Sequence, residues 1–222
     1  MIETAPQTLS FATARQAMVD SQLRTNSVND PRVVDAMANV PREQFLPAHL
    51  RNVAYRDRPL PLGAGRMHND PLATGRLLVA AEIAPADRVL LIGAAGGYAA
   101  ALLARLAAHV VAVEESADLA ATARAALAGI GNVELVEGPL NQGWAAGAPY
   151  DVIVIDGAVE RLPDGFVEQC RPDGRIVTGI VDRGVTRLAR GQRSQGGFGM
   201  VDFADVECVV LPGFERPRGF TF

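Results

Sequence analysis

Cysteine is nearly missing from this 222-residue chain, with Cys170 and Cys208 the only two. A disulfide scaffold and a multi-cysteine zinc site are thereby excluded, and no metal ligand set is expected. Two thiols fit a reduced, cytoplasmic setting. Aromatic residues are scarce as well, at 5%. No run of about 18 uninterrupted apolar residues occurs, so no membrane-spanning helix is expected. The opening MIETAPQTLSFATARQ has neither a basic start nor an apolar stretch, and does not read as a signal peptide. An excess of positive charge is also lacking: Lys and Arg number 21 against 25 Asp and Glu, a net charge of −4. That balance argues against nucleic acid as a partner. What the chain has in quantity is apolar sequence, 49% against 21% charged. The proportion supports a packed core and excludes intrinsic disorder.

Two textures divide the chain. Residues 1–84 read as a cap of short helices and loops. Ser10 is placed to cap a helix over 11–24. Asp30-Pro31 and Asp70-Pro71 each pair a capping carboxylate with a proline suited to the first helical position. The second pair opens a helix to about 83. Residues 55–65 read as an ordered loop with a short strand. From 85 to 222 strands and helices alternate. Strands are expected over 88–93, 110–114, 133–136, 151–156 and 175–181, with helices over 98–108, 117–130 and 166–170. Two further strands, 186–190 and 206–211, are expected around a glycine-rich loop. Alternation of this kind predicts an α/β fold: a doubly wound, Rossmann-like, mostly parallel sheet with an antiparallel edge. The two textures are expected to form one compact unit.

The sharpest local signal is Gly93-Ala94-Ala95-Gly96-Gly97-Tyr98, between an expected strand and an expected helix. Small residues there allow close approach to the backbone. Glu114 ends the next strand, where a carboxylate can accept hydrogen bonds from ribose hydroxyls, and Glu115 follows it. The dinucleotide spacing G-x-G-x-x-G is not met: its second glycine is Ala95 and its third Tyr98. No Gly-Lys-Ser/Thr phosphate loop is present. S-adenosyl-L-methionine therefore suits the loop better than a nicotinamide dinucleotide. Asp156, at the end of the fourth strand, is a candidate for the same crevice.

The residues in between resemble a known family. Gln22-Leu23, Val40-Pro41-Arg42-Glu43-Gln44-Phe45-Leu46-Pro47, the run from Ala54 to Gly63, the loop Leu91 to Tyr98 and Pro149-Tyr150-Asp151 are similar to the motifs of protein-L-isoaspartate O-methyltransferases. The resemblance covers most of the chain. It implies a class I methyltransferase sheet with an N-terminal helical cap, S-adenosyl-L-methionine as donor, and a carboxylate on damaged protein or peptide as acceptor. Alternatives are a methyltransferase with another acceptor, a small molecule included, and a methyltransferase-fold binding protein without catalysis.

Several positions depart from the family pattern. Asn69 stands where the family carries Ser before the helix-opening Pro. Leu91 replaces an acid that the family assigns to the amino end of the cofactor and, having no polar atoms, cannot accept a hydrogen bond. The family's Gly-Asp-Gly after the third strand is Gly138-Pro139-Leu140 here. Carried over by position, Gly93 to Tyr98, Glu114, Glu115, Pro139 and Leu140 imply the cofactor side, with Asp156 a possible substitute for the acid lost at Leu91. His68, Asn69 and Asp70 imply the acceptor side. A carboxylate acceptor is already an anion and needs no general base, so an Asn69 amide suffices to orient it. His68 or Asp70 would serve as base for a hydroxyl or amine acceptor, although a loop histidine is more simply a surface residue. Arg183, Arg187, Arg190 and Arg193 read as a solvated edge, and Trp144 and Cys170 as packing residues.

Overall fold

The computed structural model describes residues 10–216 apart from residue 64. The opening segment on which the signal-peptide expectation rests lies largely outside those residues.

The cap follows its capping chemistry. Ser10 accepts from the Thr13 amide and starts α1 (Phe11–Met18), which continues through a π turn (Val19–Leu23) and a 3-10 turn (Arg24–Asn26). Asp30 accepts from the amides of Arg32 and Val33 at the head of α2 (Pro31–Asn39). Two short strands, β1 (Leu60–Gly63) and β2 (Arg66–His68), form an antiparallel hairpin. Asp70 then accepts from the Ala73 amide and opens α3 (Pro71–Ala81).

The remaining strands build one seven-stranded sheet. In chain order these are β3 (Arg88–Ile92), β4 (His109–Glu114), β5 (Val133–Glu137), β6 (Tyr150–Val159), β7 (Cys170–Asp182), β8 (Val185–Ser194) and β9 (Gly197–Ala204). Their spatial order is β5-β4-β3-β6-β7-β8-β9, parallel through β7 and antiparallel beyond it. Helices α4 (Tyr98–Ala104), α5 (Ala117–Ala126) and α6 (Asp164–Gln169) lie in the connections. Strand order reverses between β3 and β6, so ligands are expected at the carboxyl ends of these strands. Along β3 the side chains alternate between two cores. Val89 and Leu91 join the larger one, shared with α2, α3 and α4, while Leu90 and Ile92 join a second with Phe166, Leu211 and Phe214.

The fold meets the expected class, with local corrections. The helices expected over 98–108 and 117–130 end at Ala104 and Ala126. The first tightens into a turn, in which Arg105 donates to the Leu102 carbonyl. The strand expected over 206–211 is not a strand, and only Val210 makes a bridge, to Ala158. The glycine-rich loop is instead the hairpin of β8 and β9, turning at Gln195-Gly196. With β8 paired on both sides, the 206–211 segment joins no ladder there: Val206 and Cys208 bond the Thr186 side chain, and Val210 bridges in parallel to Ala158 of β6. Arg183 is exposed, but the other three arginines are not simply a solvated edge. Arg190 pairs with Glu82, Arg187 with Asp182 and Asp205, and Arg193 donates to the carbonyls of Val167, Glu168 and Cys170. Among the described residues no helix is long and apolar enough to cross a membrane.

Candidate functional site

The glycine turn leaves β3 with Gly93, Ala95 and Gly97 all at positive φ, of 81°, 49° and 99°. Its amides are largely used within the protein. Those of Gly93 and Ala94 donate to the Val113 carbonyl, that of Gly97 to the Ala94 carbonyl, and that of Ala95 to Glu114 at 2.7 Å. Gly96 lies against the backbone of Phe45, whose carbonyl oxygen a Cβ would strike. Tyr98 turns inward. Its ring packs on Phe45 and His68, Arg42 stacks over it at 5.0 Å, and burial pushes its hydroxyl up to about 12. A cavity of about 510 Å³ adjoins the turn, lined in part by Phe45, Leu62, Gly96 and Leu119, and neither Glu114 nor Asp156 reaches it.

Glu114 is fully buried at the end of β4, and all of its bonds are internal. One oxygen accepts from the Ala95 amide. The other accepts from the amides of Glu115 and Ser116, at 3.1 and 3.0 Å, and from Arg66 Nη1 at 2.5 Å. Arg66 is only 5% exposed, and its Nη2 is buried without a partner among the described residues. Glu115, more open, stands 3.9 Å from the same guanidinium. Leu211 completes the filling. A Cβ on Gly93 would meet it at 3.2 Å, and one on Gly157 at 2.5 Å. As arranged here, the crevice of β3, β4 and β6 does not fit a nucleoside, because Arg66 and Leu211 stand in it and Glu114 is fully engaged.

The loop before α3 is bound as tightly. Asn69 Nδ2 donates to Asp156 at 3.1 Å and to Cys208 Sγ at 3.3 Å, and its Oδ1 accepts from the Val209 amide at 3.2 Å. The amide expected to orient an acceptor thus holds the loop to β6 and to the 206–216 segment. Asp156 also accepts from the Thr74 hydroxyl at 2.9 Å. Burial pushes its pKa up, against the pull of Asn69, Thr74 and the Arg42 and Arg66 charges. Asp70 is pushed up to about 6, chiefly by burial. His68, far from being a surface residue, is 3% exposed. Burial, then the Arg42 charge, holds it well below the ordinary imidazole range. Pro139 leads into a turn whose Leu140 is buried in the second core, and Asn141 donates to the Gly213 carbonyl.

Arg42, Arg66, Thr74 and Leu211 are the site residues that sequence reasoning passed over. Arg42 is fully buried, donating to the carbonyls of Ala54 and Asn69 at 2.8 and 2.6 Å. With Arg66 Nη2, the atoms Arg42 Nη1, His68 Nε2 and Tyr98 Oη are buried polar groups lacking a partner among the described residues. The available signal is Arg66 itself, a cation two residues before His68 in the stretch that carries the acceptor-side candidates.

The family profile described as protein-L-isoaspartate(D-aspartate) O-methyltransferase matches residues 13–215. The chain belongs to the protein-L-isoaspartate O-methyltransferase family. Two curated relatives of that name are similar throughout. One, from Rhodopseudomonas palustris (strain HaA2), is 42% identical over 93% of this chain and 86% of its own. Another, from Koribacter versatilis (strain Ellin345), is 43% identical over 94% and 95%. Among solved structures, a protein-L-isoaspartate O-methyltransferase superposes with a TM-score of 0.77 at 23% identity, covering 90% of this chain and 66% of that one. A Plasmodium falciparum structure described as the same type of enzyme, in complex with S-adenosyl-L-homocysteine, gives 0.73 at 18%, covering 89% and 97%. These two likenesses establish the class I methyltransferase fold. The protein-L-isoaspartate O-methyltransferase family is S-adenosyl-L-methionine-dependent.

Proposed function

We propose that the protein is an S-adenosyl-L-methionine-dependent O-methyltransferase that esterifies a carboxylate on damaged protein or peptide. The observation that carries this reading is the family match over residues 13–215, with relatives of that name about 40% identical along nearly the whole chain. The retained Glu114, held by three backbone amides beside the glycine turn, is in keeping with it. On this reading residues 1–84 form the acceptor-side cap and residues 85–222 the donor side. The loop His68-Asn69-Asp70 borders the acceptor. A carboxylate arrives as its anion, so no proton has to be removed, and a neutral, buried His68 is no handicap. The protein works in the cytoplasm, without nucleic acid as a partner.

The filled crevice favours a second reading: a methyltransferase-fold protein that binds without catalysis. Arg66 on Glu114 and Leu211 over Gly93 and Gly157 are the observations behind it. A third possibility keeps the chemistry and changes the acceptor to a small molecule. Transfer of labelled methyl from S-adenosyl-L-methionine to an isoaspartyl peptide decides between them. Turnover supports the first reading. No transfer to that peptide, with labelled product in a cell extract, supports the changed acceptor. No transfer to either supports the binding protein.

A further inference from the structure

Arg66 projects from the β1–β2 hairpin, remote in sequence from the sheet, yet its guanidinium lies over the glycine turn. Nη1 is 2.5 Å from Glu114, and Nη2 is 3.6 Å from where a Cβ on Gly93 would stand. The side chain is 5% exposed, and Nη2 has no partner among the described residues. A carboxylate at the end of the second parallel strand is suited to a pair of sugar hydroxyls, which offer it O–H donors. A guanidinium offers it N–H donors and a full positive charge, and charge-assisted bonds are the stronger kind.

We propose that Arg66 is the resident occupant of the nucleoside position, so that a nucleoside-containing donor binds this chain only in competition with Arg66 for Glu114. This makes Arg66 a determinant of donor affinity, acting by exclusion, and it rests on the donor reading given above. Glu114 does not depend on Arg66 for its placement. The amides of Ala95, Glu115 and Ser116 hold both of its oxygens and would continue to do so without the arginine. Arg66 is held less completely, with one orphaned nitrogen. Exchange of the guanidinium for a sugar therefore leaves the carboxylate seated.

The test is calorimetric titration of the full chain with S-adenosyl-L-homocysteine, comparing wild type with Arg66→Gln and Arg66→Lys. Thermal melts confirm that each variant is folded. Arg66→Gln removes the cation, and Arg66→Lys keeps a cation but loses the planar guanidinium that lies over the glycine turn. The expected order of affinity is Arg66→Gln, then Arg66→Lys, then wild type, with Arg66→Gln at least tenfold tighter than wild type. A merely structural arginine would give the opposite order, since its loss would weaken binding. If Arg66→Gln does not fold, Arg66→Lys decides, and affinity above wild type supports the competition. A second readout is guanidinium chloride at millimolar concentration, which should weaken binding by Arg66→Gln and leave wild type unchanged. Equal binding by all three chains overturns the proposal and leaves the donor reading standing. Folded variants that bind no more than a wild type showing no binding overturn both.

Discussion

Asn69 donates to Asp156 across 3.1 Å and accepts from Val209 across 3.2 Å, joining the loop before α3, the sheet and the 206–216 segment through one side chain. Both ends of the amide are needed. Asn69→Ala leaves the buried Val209 amide without its acceptor, which alone costs roughly 1–3 kcal/mol. Asn69→Ser, the residue the family carries, is too short to reach both partners. It should lose nearly as much stability as alanine, read as a lowered urea midpoint at unchanged slope.

Asp70 supplies a pH dependence of definite sign. Burial raises its folded pKa from 3.8 to about 6, so between those values the native state binds a proton that the unfolded chain does not. Its contribution to stability therefore falls as pH rises through that window, and the penalty is complete at neutral pH. Asp70→Asn keeps an oxygen for the Ala73 amide and removes the charge. Relative to wild type it should gain on the order of 3 kcal/mol at neutral pH and nothing near pH 3.5. Denaturant unfolding of both proteins across that range checks it.

His68 acts in the opposite direction. Its folded pKa lies well below 6.5, so as pH falls below that value the unfolded chain takes up a proton that the native state refuses. Stability from this group is present above about pH 6.5 and declines below it by up to about 1.4 kcal/mol per pH unit. His68→Leu should lack that decline. In the native protein the His68 ring protons should show no titration by NMR around pH 6.5, where an ordinary histidine changes charge. Below pH 6 the slope from His68 opposes that from Asp70 in wild type, so single variants reveal what the parent conceals.

Gly96→Ala tests what the small residues of the turn are for. If their purpose were only to admit a ligand, an added methyl would leave the fold stable. The Phe45 carbonyl stands where that methyl would go, and backbone does not yield as a side chain does. The substitution should cost about 1–3 kcal/mol, or more, in a thermal or urea melt without any ligand present.

The sequence was legible where one local rule governed. Asp30-Pro31 and Asp70-Pro71 start helices because capping and the proline φ act within a few residues. Buried strands such as 88–93 announce themselves as apolar runs. The 206–211 segment failed because a mostly apolar stretch does not say whether a sheet edge is still free, and β9 takes the place beside β8. At the site, Glu114 and the glycine turn were found together, and the structure does place them in contact. What occupies Glu114 was not legible. Arg66 lies 48 residues earlier in the chain, and only the folded hairpin brings it there. His68 was misjudged for a related reason: a loop tied down by Asn69 and Arg42 is interior, and hydrophilic neighbours in sequence hide that.

The roof over Gly93 and Gly157 is contributed by Leu211, fastened where the Leu211 amide donates to the Ala158 carbonyl and the Ala158 amide to that of Val209. In order of synthesis these residues come long after β3 and β4. Truncation before residue 206 would therefore keep the residues of every strand and remove Leu211 from over Gly93 and Gly157.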